Sequence, residues 1–474
     1  MTKIGLLPLY IELYDQIASG IRPRLEGFYE VMAKALETQR FEVLRCGFCR
    51  TKPEFEEAVS GFERGGAQCL ITLHMAYSPS LESSEVLAKT RLPIVVLDVT
   101  DTFDFSSEQK PDAIDYCHGI HGVMDMCSLL RYNGKPFAIA AGYPSSSDVM
   151  ERTSGFIKAA VSACSLAESR VGIIGGAFKG MGDFAVTAEE MQERFGVTVV
   201  APDNATMRGL SENITDSEIK AEISFDLKAF SRIGGFTRER HVMTARDGLA
   251  VRKWIKDEKL SAFTVNFLEI GAESGLTVMP FMEACKAMSR GTGYAGEGDV
   301  LTAAFTGALM RGFPDTSFVE VFCPDWQGGS LFLSHMGEMN IRLAAGKPEI
   351  AEKNFVFGNG VNPVACYGCF RSGGAVFVNV FRGRNGFGLL VAPVKMEEET
   401  TDNFAGIIRG WMRPNMPVHT FLEQLSKAGA THHSILVYDA TPEQMRFFGE
   451  LLGLEVVELY SCAERFTPSA SLRY

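Results

Sequence analysis

Short apolar segments alternate with segments of helical periodicity along the first two thirds of the chain, and this alternation restarts once, near residue 169. The run KIGLLPLYI at residues 3–11 precedes apolar residues at helical spacing over 23–43, and the apolar runs AQCLITLHM and LPIVVLDVT follow, separated by a further helical segment. Buried strands that alternate with helices are typical of a parallel sheet whose two faces are both covered by helices. The pattern therefore predicts a doubly wound α/β domain over residues 1–168.

The second alternation begins at SRVGIIGGAFKGMGDF, residues 169–184, and continues with the helical segment TAEEMQERFG and the apolar run VTVVAPD. After residue 317 the pattern changes to short apolar runs such as AVFVNVF, which alternate with period two between glycine-rich turns. The length of 474 residues suits about three domains of about 150 residues each. We therefore predict an α/β chain with two doubly wound, Rossmann or flavodoxin-like domains at 1–168 and 169–317, followed by a β-rich, antiparallel, barrel-like domain at 318–474.

Charge and hydropathy exclude several classes of partner. The chain has 46 Lys and Arg against 58 Asp and Glu, a net charge of −12, and a surface of that sign repels the phosphates of nucleic acids. No segment reaches the roughly 18 uninterrupted apolar residues that a membrane span requires. The N-terminal apolar stretch is too short for a signal peptide, so we expect a cytoplasmic protein. Its 11 cysteines, an odd number, are then expected to be reduced thiols.

Two cysteine pairs and one glycine-rich turn resemble known ligand motifs only in part. Cys46/Cys49 and Cys366/Cys369 have the spacing of zinc-binding thiolates, but a four-cysteine site would require the two pairs to meet across more than 300 residues. Zinc is therefore disfavoured. The glycines of residues 175–182 do not form the G-x-G-x-x-G pattern of dinucleotide-binding turns, so this segment predicts a structural turn at the end of a strand.

Carboxylates and imidazoles in apolar surroundings mark a candidate metal site. Glu297 lies between two glycines before an apolar helix, Glu320 lies inside the apolar run SFVEVF, and His335 follows another apolar run. His432 and His433 directly precede a further apolar strand. Two Glu with one or two His would supply oxygen and nitrogen ligands suited to Mn²⁺ or Mg²⁺. Alternatively, Glu297 caps a helix, Glu320 pairs with an arginine and the histidines satisfy buried hydrogen bonds; the residues alone leave both interpretations open.

The segments GYAGEGDVLTAAF, SFVE, LSHMGE and ATHHS, in this order, resemble the metal-site segments of the L-arabinose isomerase and L-fucose isomerase superfamily, nearer the arabinose branch. The resemblance implies that Glu297, Glu320, His335 and His433 are the metal ligands, with Mn²⁺ as the expected ion and Mg²⁺ or Co²⁺ as alternatives. The family pattern favours His433 over His432 as the ligand.

The same resemblance implies a metal-dependent aldose–ketose isomerase that transfers a proton between C1 and C2 of a monosaccharide through an enediol, with Glu297 and Glu320 as acid and base. It also extends to TLHMAYSP and HGIHGVMD, which makes His74, His118 and His121, together with His432, candidate contacts of the sugar hydroxyls. Family members are commonly hexamers or tetramers with sites near a subunit interface, so a homo-oligomer is expected.

The substrate stays open among pentoses, hexoses, deoxy sugars and anionic sugars, because the family's substrate-reading N-terminal segment is not recognisable in KIGLLPLYIELYDQ. Arg22, Arg24 and Lys179 are residues of the type that could bind an acidic substituent, although ordinary surface positions explain them equally. The alternative functions are a non-catalytic sugar-binding protein on the same scaffold and a metal-dependent sugar epimerase or lyase.

Overall fold

The computed structural model of the protein describes residues 1–384, 386–398 and 401–460. The chain divides into two compact units, Met1–Cys164 and Ser165–Tyr474. The predicted boundaries at residues 168/169 and 317/318 stay predictions. None of the helices in the described residues has both the length and the apolar character needed to span a lipid bilayer.

The first unit is a parallel sheet with helices. Its strands are β1 (Thr2–Leu9), β2 (Phe41–Arg45), β3 (Cys69–His74), β4 (Ile94–Asp98) and β5 (Phe137–Ala141). Its helices are α1 (Glu12–Ile17), α2 (Arg22–Thr38), α3 (Lys52–Arg64), α4 (Ser80–Lys89), α5 (Ile114–Cys117), α6 (Ile120–Tyr132) and α7 (Val149–Leu166). The strand order is β2-β1-β3-β4-β5, with every pairing parallel.

Helix α3 shows how the local sequence specifies this unit. Thr51 and Glu54 form a capping box that satisfies backbone N–H groups at the start of the helix. The helix then buries Phe55 and Phe62, and Phe62 lies against Gly5 of β1, where a Cβ atom would come within 2.7 Å of the ring. A glycine in the strand therefore lets this helix pack closely on the sheet.

The second unit begins with another parallel sheet, its helices and the short strand β8 (Ser231–Arg232), which belongs to a different sheet. These elements are β6 (Arg170–Ile174), α8 (Ala188–Phe195), β7 (Thr198–Val200), α9 (Asn204–Glu212), α10 (Asp216–Ala229), β8 (Ser231–Arg232), α11 (Arg238–Asp257), β9 (Ala262–Val265), α12 (Phe281–Ser289), β10 (Gly293–Gly296) and α13 (Val300–Gly312). Strands pair in parallel in the order β10-β9-β6-β7. The α/β prediction is thus confirmed, whereas double winding of the two sheets stays a prediction.

The rest of the described chain is mainly antiparallel. Its elements are β11 (Thr316–Asp325), β12 (Ser330–Ser334), β13 (Glu349–Glu352), β14 (Val364–Tyr367), β15 (Gly373–Gly383), β16 (Gly386–Met396), β17 (Gly410–Pro414), α14 (Val418–Ala428), β18 (His433–Tyr438), α15 (Pro442–Leu451) and β19 (Glu455–Glu458).

Six of these described strands, in the order β15-β18-β11-β12-β17-β16, form an antiparallel barrel that β15 and β16 close, and β19 adds to β16 in parallel. A separate small sheet has the order β14-β13-β8. The predicted β-rich, barrel-like region is therefore confirmed.

Candidate metal centre

Strand register brings three of the predicted ligands together in the barrel. Glu320 on β11 pairs with His433 at the start of β18 on one side and with Ser334 at the end of β12 on the other. His335 follows Ser334 directly, so both imidazoles are neighbours of the Glu320 carboxylate. Residues 320, 335 and 433 are far apart in sequence, and this contact exists only because of the β12-β11-β18 strand order.

The fourth predicted ligand, Glu297, comes from the turn between β10 and α13 of the same unit. Its backbone is left-handed, with φ of 64°, and Gly298 follows at φ of 79°. A Cβ atom at position 298 would lie 2.3 Å from the Gly176 carbonyl oxygen, and Phe178 N–H donates to the Glu297 carbonyl at 3.0 Å. The glycine-rich segment after β6 is therefore a structural turn that packs against the Glu297 turn and supports it.

The side-chain ligand atoms form two overlapping clusters. Glu320, His335 and His433 make one, Glu297, His432 and His433 make the other, and within each cluster the atoms lie within 4.8 Å of one another. His433 Nε2 is 3.5 Å from Glu297 Oε2, and His335 Nε2 is 3.7 Å from Glu320 Oε2. Because His433 belongs to both clusters, it is the residue that joins the two glutamates into one site.

A buried carboxylate fixes the orientation of His433. Asp299 accepts a hydrogen bond from Thr302 N–H at 2.8 Å as the N-cap of α13, and its other oxygen lies 2.9 Å from His433 Nδ1. Asp299, rather than Glu297, is thus the helix cap. His433 Nε2 is buried and makes no hydrogen bond within the described part of the chain. A buried polar atom without a hydrogen-bond partner is destabilising, and this atom, which faces two glutamates, could hold a metal ion.

His335 is held in the same way by Glu338. This carboxylate, 1% exposed, accepts hydrogen bonds from Gly337 N–H at 2.8 Å and Tyr294 O–H at 2.9 Å, and lies 2.7 Å from His335 Nδ1. Burial lowers the pKa of His335, but the contact with Glu338 and the charges of Glu320 and Glu297 together outweigh it, and the net pKa is above the ordinary value. A Cβ atom at Gly296 would lie 3.0 Å from His335 Nε2, so glycine is needed there to leave room for the ring.

His432 has a different environment from His433. Its backbone N–H donates to Asp183 Oδ2 at 3.0 Å, its Nδ1 lies 2.6 Å from the same oxygen, and its Nε2 is 3.4 Å from Glu297 Oε2. Burial lowers the pKa of His432, but the contacts with Glu297 and Asp183 outweigh it and raise the pKa to about 9. A protonated His432 is an ion-pair partner of Glu297.

The two glutamates have pKa values displaced in opposite directions. Burial raises the pKa of Glu297, but the hydrogen bond with His432 and the charges of His433 and His335 lower it below the ordinary value. Burial raises the pKa of Glu320 and the Glu297 charge adds to this, so that its pKa stays above the ordinary value despite the histidines. A pair of carboxyl groups with separated pKa values is the arrangement that acid–base chemistry uses.

Aromatic rings form the apolar walls of the site. Phe184 stacks on His433 with ring centroids 4.9 Å apart, and Phe318 meets the rings of His335 and His433 edge to face at 4.8 and 5.0 Å. These contacts restrict rotation of both imidazoles and exclude water from one side of each ring.

The donor set fits a small divalent ion with oxygen and nitrogen ligands. Such ions hold their ligands at about 2.0–2.2 Å, which places neighbouring ligand atoms about 3 Å apart and opposite ones about 4.2 Å apart. The distances of 3.5 and 3.7 Å between imidazole and carboxylate atoms lie in this range. Carboxylates with imidazoles and no thiolate suit Mn²⁺ or Mg²⁺ chemistry.

The three other predicted sugar-contact residues lie in the first unit. His74 ends β3 and is 5% exposed, and neither of its ring nitrogens has a hydrogen-bond partner within residues 1–164. Burial lowers the pKa of His74 to about 3, so the ring is neutral. His118 Nε2 lies 2.8 Å from the Tyr14 hydroxyl, and the ring of His121 meets that of His118 at 5.8 Å.

Both arginines considered for an acidic substituent are already paired. Arg22 donates to Asp15 at 2.9 Å and to Glu26 at 3.1 Å, and Arg24 donates to Asp101 at 2.6 Å. Their charges are therefore compensated within the first unit.

Sequence reasoning did not identify the side chains that orient the histidines. These are Asp183, Tyr294, Asp299 and Glu338. Asp299 and Glu338 lie inside the quoted segments GEGD and SHMGE, two or three residues from a predicted ligand, and this proximity was the available signal. Asp183 lies in the glycine-rich segment, and nothing in the local sequence connects it with His432.

Two family models match the part of the chain that contains these residues. The family model of the L-arabinose isomerase central domain matches residues 179–311, and that of the L-arabinose isomerase C-terminal domain matches residues 315–455. Together the two matches cover more than half of the chain and contain every residue of the two clusters.

Curated relatives named L-arabinose isomerase align as well. The protein of Aeromonas hydrophila is 27% identical over 281 residues, 56% of this chain and 56% of its own length. Those of Anoxybacillus flavithermus and Geobacillus thermodenitrificans are 25% and 24% identical over 425 residues, 86% of this chain and 83% and 84% of their own lengths. The chain thus spans little more than half of the first of these relatives and over four fifths of the other two.

Proposed function

This chain belongs to the L-arabinose isomerase family through its central and C-terminal regions, and from that premise we propose that it is a metal-dependent aldose–ketose isomerase acting on a monosaccharide. The observation that carries the proposal is the convergence of Glu297, Glu320, His335 and His433, with each imidazole Nδ1 held by a buried carboxylate. This arrangement leaves both Nε2 atoms directed at the glutamates.

Aldose–ketose isomerisation moves a proton between C1 and C2, and the proton on the carbon next to a carbonyl is too weakly acidic to leave at a useful rate unaided. A divalent ion, most simply Mn²⁺ with Mg²⁺ or Co²⁺ as alternatives, supplies Lewis-acid stabilisation of the developing enediolate. Glu297, Glu320, His335 and His433 would hold that ion.

The glutamates also move the proton. In the metal-free protein the pKa of Glu297 is lowered and that of Glu320 is raised, so the two carboxyl groups differ in their tendency to hold a proton. We propose this pair as the acid and base of the C1–C2 transfer. His432, held by Asp183, lies beside Glu297 and would contact a sugar hydroxyl.

The remaining assignments extend the proposal to substrate and assembly. His74, His118 and His121 are proposed contacts of sugar hydroxyls, and the protein is proposed to be a cytoplasmic homo-oligomer, a hexamer or tetramer, with its site near a subunit interface. L-Arabinose is the first substrate to test, because the curated relatives carry its name. Hexoses, deoxy sugars and anionic sugars follow.

The test is ketose formation by Mn²⁺-loaded protein across a panel of aldoses. Glu297→Gln and Glu320→Gln should each abolish turnover, since each removes a metal ligand and one member of the proton-transfer pair. The matched control is Glu455→Gln, an exposed glutamate on β19, which should keep wild-type turnover. Circular dichroism of each variant verifies the fold.

Retained turnover in either site variant would refute the assignment of that glutamate. A wild-type protein that binds sugars but forms no product would instead support the non-catalytic alternative. Deuterium incorporation at C2 without ketose formation would support an epimerase, and carbon–carbon or carbon–oxygen cleavage products would support a lyase.

A further inference from the structure

The Cys46/Cys49 pair lies in a constrained loop that the proposed isomerase chemistry does not use. The loop follows β2 and joins the end of β1 through two backbone hydrogen bonds of 3.0 Å, from Tyr10 N–H to the Cys49 carbonyl and from Cys49 N–H to the Pro8 carbonyl. The pair is thereby fixed at the carboxyl edge of the parallel sheet of the first unit, directly before helix α3.

The two thiols of this pair interact. The Cys49 thiol donates to the Gly47 carbonyl at 3.6 Å and to the Glu54 carbonyl at 3.7 Å, and its interaction with Cys46, together with burial, raises its pKa. Their surroundings differ, because Cys49 is 3% exposed while Cys46 is half-buried. Cys46 is therefore the thiol that a reagent from solution reaches first, and Cys49 is the thiol positioned behind it.

A metal is a poor explanation for the pair. Within the described residues, both clusters with three or more potential metal ligands consist of glutamate and histidine, so no third ligand joins Cys46 and Cys49. Two sulfurs alone do not make a structural zinc site, which takes four ligands. Two adjacent thiols without a metal are the arrangement that disulfide chemistry uses.

The second pair with the same spacing provides a contrast within the chain. Cys366 lies on β14 and is fully buried, and its interaction with Cys285 of α12, together with burial, raises the pKa of its thiol. The Cys285 thiol in turn donates to the Gly337 carbonyl at 3.3 Å. The same Cys-x-x-Cys spacing thus has two outcomes in this chain. Cys46 interacts with Cys49 near solvent, whereas Cys366 interacts with Cys285, a buried cysteine of a helix.

We propose that Cys46 and Cys49 form a reversible redox site, a dithiol that converts to an intramolecular disulfide. The Cys46 thiolate attacks one sulfur of a small-molecule disulfide and releases one thiolate from it. The Cys49 thiolate then attacks the Cys46 sulfur of the mixed disulfide and releases the second thiolate. The protein loses two protons and two electrons, and the small disulfide is reduced to two thiols.

The test uses full-length protein equilibrated with oxidised glutathione, alkylated, cleaved with trypsin and analysed by mass spectrometry. Cleavage after Arg45 and Arg50 releases residues 46–50 as one peptide containing both cysteines, and cleavage after Lys353 and Arg371 releases residues 354–371 with the control pair. We expect the first peptide to be two hydrogens lighter and unalkylated, and the second to be alkylated on both cysteines.

Two variants separate the steps. Cys49→Ser should stop at a stable glutathione adduct on Cys46, and Cys46→Ser should lower the rate of modification of peptide 46–50 at least about tenfold, because the accessible attacking thiol is gone. The proposal is overturned if wild-type peptide 46–50 stays alkylated on both cysteines, if both peptides oxidise alike, or if Cys46→Ser is modified as fast as wild type. If a variant does not fold, the comparison of the two wild-type peptides still decides.

Discussion

Replacing Glu338 with glutamine tests how far the site depends on side chains that do not touch the metal. The buried carboxylate receives three donors, from His335, Gly337 and Tyr294, at 2.7–2.9 Å. Glutamine has the same shape but exchanges one acceptor oxygen for an NH₂ donor, so at least one of the three donors loses its partner. An unpaired buried donor costs about 1–3 kcal/mol of unfolding free energy.

The effect on metal binding follows from the loss of the negative charge beside His335 Nδ1, which strengthens Nε2 of the same ring as a ligand. Removing the partner that orients a metal-binding histidine typically weakens metal affinity about 10- to 100-fold, which is about 1.4–2.7 kcal/mol. We therefore expect Glu338→Gln to raise the Kd for Mn²⁺ by that factor, measured by isothermal titration calorimetry on metal-free protein.

Tyr294→Phe is the matched control for this substitution. It removes one donor from Glu338 Oε1 but leaves the Oε2 contacts with His335 and Gly337 intact. This variant should lose stability with a much smaller change in the Kd for Mn²⁺. The reasoning is refuted if a folded Glu338→Gln protein binds Mn²⁺ as tightly as wild type, or if the two variants weaken binding equally.

Three further predictions concern the histidine pair. His433→Asn should weaken Mn²⁺ binding at least about tenfold, measured by titration calorimetry, whereas His432→Asn should not, because only His433 of the two belongs to both ligand clusters. The opposite result would exchange the roles of the two histidines. Asp299→Ala should lower the unfolding free energy by about 1 kcal/mol, because the helix cap is lost, and should weaken Mn²⁺ binding, because His433 loses its partner. An unchanged denaturation midpoint would contradict the first of these effects. In metal-free protein, NMR titration should give His432 a pKa of about 9, since Glu297 and Asp183 outweigh the opposing effect of burial. Asp183→Asn should move that midpoint down towards the ordinary 6.5, because it removes an anion that favours the protonated ring; a midpoint that stays near 9 would exclude Asp183 as a cause.

Local sequence patterns predict much of this fold because they reflect burial. Period-two apolar runs such as residues 375–381 become barrel strands, and continuous apolar runs such as residues 67–75 become buried parallel strands. The alternation of apolar and helical segments does not predict helix α6, strand β5 or helices α9 to α11. Helix α11, for example, is long and highly charged, and it buries a stripe that includes Leu249 and Trp254 through tertiary packing rather than strong local periodicity.

The candidate site was only partly predictable for a different physical reason. The types of ligand residue are visible in sequence, since a glutamate such as Glu320 in an apolar strand needs a cation or a partner. Its proximity to His433 depends on the pairing of β11 with β18, and strands so distant in sequence leave no local signal of their register. The hydrogen bonds that Asp183 accepts from His432 and that Asp299 accepts from His433 depend on the same long-range placement.

The claim on which the proposed function depends is that Glu297, Glu320, His335 and His433 hold one divalent ion. Anomalous diffraction at the manganese edge from crystals of the Mn²⁺-loaded protein tests it most directly. We predict a single strong peak in this site, with a carboxylate oxygen of each glutamate and Nε2 of each of these two histidines about 2.0–2.3 Å away. A peak elsewhere would contradict the assignment. So would a peak in this site with two or more of the four side chains beyond bonding distance.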